Sequence, residues 1–291
     1  MQGSLCQANG VLYVGRHAKS ASITAFDLDG RLLQNIANYR DEGVGRSSAS
    51  GVCVDADHRL WVADGPGGCV RGFTLFGKQI AHLGAEADPN HTQDDIRGVL
   101  GTPVDVLATG EDEELVLVVG SGGVRRHAVQ VLDPNGGRTL SLRPLGDPHG
   151  HFQEVCGLAA RGEQELLVLE SRTPRIQVFR GGHYHFSIPL PEDERQGGPR
   201  ALAITPDGHV AVAYGGGTMG ILVVNDDGRV LQSVAGSGAA DGQVEDPCGL
   251  AMIPREGLQP ARLFVLDRYG DRVQVFTLDG ICYGAFPALV S

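Results

Sequence analysis

A repeat limits what this chain can fold into more than any other feature. Along 291 residues the same order of segments recurs six times: a strand start at a mostly small residue, an apolar run, a polar loop, an alternating run and a Gly-containing turn. The starts are Gly3, Gly51, Asp105, Gly157, Ala201 and Gly249, spaced by 48, 54, 52, 44 and 48 residues. From each start to the first apolar residue of the second run (Leu12, Leu60, Leu115, Leu166, Val210 and Leu263) is 9, 9, 10, 9, 9 and 14 residues. A period of roughly 40 to 50 residues points to a stacked array of supersecondary units.

The residues within each unit say what the unit is. The third run reads Ile23-Thr24-Ala25-Phe26 in the first repeat, Ile176-Gln177-Val178-Phe179 in the fourth and Val273-Gln274-Val275-Phe276 in the sixth. Alternation with a period of two is the pattern of a strand. A turn follows each of these runs: Asp29-Gly30, Phe76-Gly77, Asn135-Gly136, Gly181-Gly182, Asp227-Gly228 and Asp279-Gly280. Such dipeptides let the next strand double back. With four strands per unit, six units and no helical period, the expected fold is all-β, a six-bladed β-propeller with four antiparallel strands in each blade. Radial stacking buries the sheet faces that one isolated sheet would expose.

The expected blades cover 1–37, 48–84, 102–146, 154–190, 198–236 and 246–287 of a single domain spanning 1–291. Blade one holds four strands of its own and blade six ends at its own outer strand near Phe286, so no strand is left over to be exchanged. Closure is therefore expected to rest on side chains packed between blades six and one, a weaker clasp than a shared strand.

The blade-six segment has Pro247, Gly249, Leu250 and Ala251, then Val265 and Asp267, then Arg272-Val273-Gln274-Val275-Phe276 and Asp279-Gly280, after the linker 236–246. This pattern resembles the NHL repeat, over essentially the whole chain and most strongly in blades two, four and six. The resemblance implies a scaffold role. It also takes in RNA-binding members with basic faces, and amidating lyases and related lactonases that use a metal. A WD40 pattern is not met, since Trp61 is the only tryptophan.

Composition bears on partners. A formal charge of −11, from 24 basic and 35 acidic side chains, repels phosphate at long range. No nucleic-acid partner is expected, and Arg125-Arg126-His127 is read as a solvated loop. No apolar run approaches the about 18 residues of a membrane helix, so no membrane partner is expected either. The six cysteines lie singly, without metal-ligand spacing. They read as buried reduced thiols, which suits the cytoplasm.

Function in a propeller concentrates where loops crowd one mouth of the central channel. The residues just before each inner strand should face it: Gln2, Ser50, Val104, Cys156, Arg200 and Cys248. A metal site needs about three converging His or carboxylate groups. This ring has none, and Asp105, one step deeper, is the only acid, so no metal and no cofactor are expected. Arg200 is the one permanent cation; it either grips an anion or pairs with Glu192, Asp193 or Glu194. Cys156 and Cys248, two blades apart, are small ring fillers too distant for a disulfide.

His149/His151 and His183/His185 are two-residue pairs read as surface histidines. Asp267 with Arg272 and Glu170 with Arg175 are read as ion pairs internal to a blade. No nucleophile elbow, phosphate loop or HExxH motif occurs. The expected function is a non-catalytic recognition scaffold binding a protein or peptide, in preference to a small ligand, at a mouth built from loops near 15–22, 85–103, 120–128, 214–220 and 236–248. The acidic insertion 85–102 is the most distinctive of these. The alternative is a metal-dependent hydrolase or lyase, lactonase-like or amidating-lyase-like, acting in the central channel through Arg200 and Asp105.

Overall fold

Each repeat folds as a four-stranded antiparallel sheet whose strands are hydrogen-bonded in chain order. The computed structural model describes residues 3–17, 21–39, 47–84, 100–110, 115–122, 128–143, 152–195, 197–255, 257 and 259–288. The inner strands of blades one to six are Ser4–Ala8, Gly51–Val54, Thr102–Thr109, Val155–Arg161, Gly198–Ile204 and Pro247–Ile253. Each packs against the next, and the sixth packs against the first, so the six blades form a closed ring. Among the described residues no helix is long and apolar enough to cross a membrane.

The apolar alternation read from the sequence becomes one buried cluster at each of the six seams. Leu60, Val62 and Phe73 of blade two meet Tyr13, Ile23 and Ala25 of blade one. Leu167, Leu169 and Ile176 of blade four meet Leu202, Val212 and Val224 of blade five. Burial of this kind, at roughly 25 cal/mol per Å² of apolar surface, is what holds blades together. Trp61 lies in the seam between blades two and three, and its indole N–H donates to Asp55 Oδ2 at 2.8 Å, so its polar atom is not stranded.

Closure follows the same rule, with no exchanged strand. Blade six contributes Phe264, Leu266 and Val273 to the last seam, and blade one contributes Leu5, Leu12, Val14 and Phe26. Phe286, on the outer strand of blade six, sets its ring 5.4 Å from that of Phe26. Arg16 of blade one also makes an ion pair with Asp271 of blade six.

One irregularity positions the mouth. At the start of the inner strands of blades three to six, pairing with the second strand skips a residue. Val155 faces Glu170 and Gly157 faces Leu169, which leaves Cys156 out. Pro199 and Ala201 bracket Arg200 in the same way, Pro247 and Gly249 bracket Cys248, and Pro103 and Asp105 bracket Val104. These are β-bulges, which insert an unpaired residue and re-aim its side chain.

Candidate functional site: the channel mouth

The bulges turn Val104, Cys156, Arg200 and Cys248 toward a cavity of about 710 Å³ at one end of the channel, and Ser50 joins them from blade two. Gln2 lies outside the described residues. Glu154, Asp246, Arg268 and Ser48 also line the cavity. A second cavity, about 350 Å³, continues along the inner strands and is lined by Asp105 and Cys6 among others. Asp105 thus belongs to the channel and not to the mouth ring.

The loops that carry the ring are held by buried carboxylates at the ends of second strands. Asp267 is fully buried and accepts the Asp246 N–H at 2.9 Å and the Glu245 N–H at 3.2 Å. Glu170 accepts the Gln153 N–H and, through its other oxygen, Arg175 Nε at 2.5 Å and Gln177 Nε2 at 2.7 Å. Asp64 accepts the Ser48 N–H at 2.9 Å and Arg71 Nε at 3.0 Å. The Asp267–Arg272 and Glu170–Arg175 pairs are therefore internal to their blades, as expected, and each carboxylate also pins the loop entering its own blade. Asp64 with Arg71 does the same at a seven-residue spacing, which concealed it in the sequence.

Blade five has Tyr214 where blades two, four and six have the acid, and its hydroxyl donates to the Pro191 carbonyl at 3.0 Å. Asp193 takes over from the preceding loop, accepting the N–H groups of Arg195, Thr218 and Met219 at 2.8, 2.6 and 3.1 Å. These donors hold its carboxyl below the usual range against the opposing effect of burial. This corrects the pairing considered for Arg200. Asp193 is occupied by backbone, and Arg200 makes no ion pair with Glu192, Asp193, Glu194 or any other acid among the described residues. Arg268, by contrast, is neutralised by an ion pair with Asp246.

Cys156 and Cys248 are free thiols, as are the other four cysteines. Burial pushes Cys248 up to about 12 and Cys156 further still, so both stay protonated at neutral pH and are poor nucleophiles. His183 and His185 lie exposed on the outer strand of blade four. His149, His151, the Arg125–His127 cluster and residues 85–99 of the acidic insertion lie outside the described residues.

Asp105 replaces the small residue found at the equivalent place in the other blades. Space for it comes from Gly51, where a Cβ would run into the Asp105 carboxylate. The carboxylate ties blade three to blade four: Oδ2 accepts the Leu158 N–H at 2.8 Å, and Oδ1 accepts the Val106 N–H at 2.9 Å. Burial outweighs these two donors and raises its pKa from 3.8 to about 7.

The consequence for stability has a definite sign. Between those two values the folded protein keeps a proton that the unfolded chain releases, so this group lowers stability as pH rises from about 4 to about 7. As an upper bound for a carboxyl moved that far, the loss is roughly 4 kcal/mol. Thermal unfolding from pH 4.5 to 8 should show Asp105→Asn less stable at low pH, with the difference from wild type shrinking as pH rises. A difference independent of pH would show that the carboxyl titrates normally.

The sequence matches no family model, and no curated protein matches it. Solved structures do resemble it in fold. Virginiamycin B lyase from Staphylococcus aureus superposes with a TM-score of 0.62 at 10% identity, covering 100% of this chain and 85% of that one. A gluconolactonase from Xanthomonas campestris gives 0.59 at 17% identity, covering 97% and 84%. A chain of a mitotic checkpoint complex gives 0.58 at 18% identity, covering 98% and 79%. At such identities the likeness is one of fold, and with the sheet order and closed ring it defines the class: the protein is a six-bladed β-propeller.

Proposed function

We propose that this propeller is a non-catalytic recognition module that takes a protein or peptide at the channel mouth. The observation that supports this reading is Arg200, a guanidinium that makes no ion pair among the described residues, on the wall of a 710 Å³ cavity. Two other pairs of groups nearby are committed, Arg268 to Asp246 and Asp267 to backbone N–H groups. A guanidinium fork left in this state suits a carboxylate or phosphate, which it can bind bidentately.

The test is capture of binding partners with wild type and with Arg200→Ala, followed by amide exchange on the complex. The expected result is loss of capture in the variant by at least tenfold, with protection in the complex over 154–156, 198–200 and 246–248. Protection confined to the outer strands, or capture unchanged in the variant, would overturn the mouth as the binding site.

A metal-dependent hydrolase or lyase acting in the central channel is the second reading, supported by neighbours named as lyases and a gluconolactonase. The residues present do not suit a metal. Among the described residues no three His, Cys, Asp or Glu side chains converge, and both oxygens of Asp105 already accept N–H groups. A stoichiometric metal found by elemental analysis, with lactone hydrolysis lost in Asp105→Asn, would replace the recognition reading.

A further inference from the structure

Arg200 is not the only uncommitted charge at the mouth. Glu154, on blade four beside the blade of Arg200, lines the same cavity, and its carboxylate makes no hydrogen bond or ion pair among the described residues. The two opposite charges are not paired with each other either, although the Asp246–Arg268 pair in the same wall shows that the mouth accommodates such a contact. Cys156 lies near both: beyond the effect of burial, Arg200 pulls its thiol down and Glu154 pushes it up.

Glu154 is also held in a conformation that L side chains avoid, with φ at 66°. Its backbone is clamped there. Its carbonyl accepts the Ser171 N–H at 2.9 Å, and the preceding Gln153 N–H goes to buried Glu170. Glycine would sit at this position without strain. A glutamate kept there, with its side chain exposed beside the mouth, is a feature that folding does not require. Across the cavity the Ser48 and Ser50 hydroxyls lie 2.6 Å apart, a polar wall that can serve peptide groups.

We propose that the mouth binds a small zwitterion, a short peptide with both termini free, whose carboxylate meets Arg200 and whose ammonium meets Glu154. The inference rests on the reading of the mouth as the binding site and adds the class of ligand. A cavity of 710 Å³ is within the range that buries ligands of this size, about 300–1,000 Å³. Two opposite charges carried by a rigid backbone frame select for a ligand with both complements, because a ligand lacking either covers one protein charge without pairing it.

The experiment uses the purified chain and a tripeptide library with free termini, screened by saturation-transfer NMR, with the binders then measured by calorimetry. N-acetylation and C-amidation are each expected to weaken binding at least tenfold. Arg200→Ala should weaken free and acetylated peptides by at least tenfold, and Glu154→Gly should do the same for free and amidated ones. The unfolding midpoint of Glu154→Gly should not fall, which separates loss of the site from loss of the fold; Glu154→Gln, which keeps the backbone conformation, should lose binding in parallel. If no peptide binds, or if neither cap weakens binding, the ligand class is wrong. If, in addition, Arg200→Ala still abolishes capture of a macromolecular partner, the recognition reading stands and only this inference falls; if capture is unaffected as well, both fall.

Discussion

Replacing Asp267 by alanine is expected to destabilise the propeller by about 3–5 kcal/mol, the cost of breaking a buried charged network by removing one partner. Its carboxylate is fully buried and takes the Glu245 and Asp246 N–H groups and a contact from Arg272 Nη2 at 3.5 Å. Alanine leaves those donors facing a void. Arg272 keeps its bond to the Gln243 carbonyl at 3.2 Å and Gln274 keeps its own at 2.7 Å, so the linker stays attached at one point and loses the other. Asp267→Asn retains one acceptor and should cost about 1–2 kcal/mol. Equilibrium urea unfolding measures both. A loss below about 1 kcal/mol for the alanine variant would show that the carboxylate does not hold the loop. Because Asp246 and Cys248 follow in that loop, the alanine variant should also speed amide exchange at Glu245 and Asp246 and weaken ligand binding at the mouth.

Phe264→Ala is expected to cost a similar amount, about 3–5 kcal/mol, through the lost transfer free energy and the cavity left behind. Phe264 is fully buried in the seam between blades six and one. No chain segment links those blades directly and no strand is shared between them, so the seam depends on side chains and the Arg16–Asp271 pair. The useful comparison is Phe179→Ala, an equally buried phenylalanine in the seam between blades three and four. There the covalent connection remains when packing weakens. The Phe179 variant should lower the urea midpoint with an unchanged slope. The Phe264 variant should lower the slope as well, because the ring opens at the seam before the remaining blades unfold. Equal slopes would show that closure is no weaker than any other seam.

The blade count, the strand order and the absence of an exchanged strand were all legible in the sequence. Each rests on local pattern: alternation of apolar residues gives the strands, and Gly-containing turns give their reversal. The mouth ring was legible in part. Counting back one residue from each inner strand reached Ser50, Val104, Cys156, Arg200 and Cys248, but nothing in the residue pattern announces the bulges that turn the last four toward the cavity. Glu154 was missed because it sits two residues before Cys156, where regular alternation gives no reason to expect an exposed side chain in a left-handed backbone.

Charge pairing was the least legible feature. Arg200 lies close in sequence to Glu192, Asp193 and Glu194, yet Asp193 is drawn to the Thr218 loop, and blade five has Tyr214 in place of the acid that pins blades two, four and six. The Asp267–Arg272 pair could be read as structural by comparing blades, since its five-residue spacing recurs in blade four. Asp105 could be singled out as the odd residue in a small-residue column, but its task of joining two blades depends on where the Leu158 N–H points.

The sequence by itself determined the architecture, because strands and turns are set by neighbours within a few residues and the same local solution is written six times. Only the tertiary structure decided which charges are spent and which are left for a ligand. That outcome depends on distances between groups on different blades and on bulges that change side-chain direction, and neither is encoded in the local period. Arg200 and Glu154 matter for that reason: the repeat has no use for them, and the ring places them in one cavity.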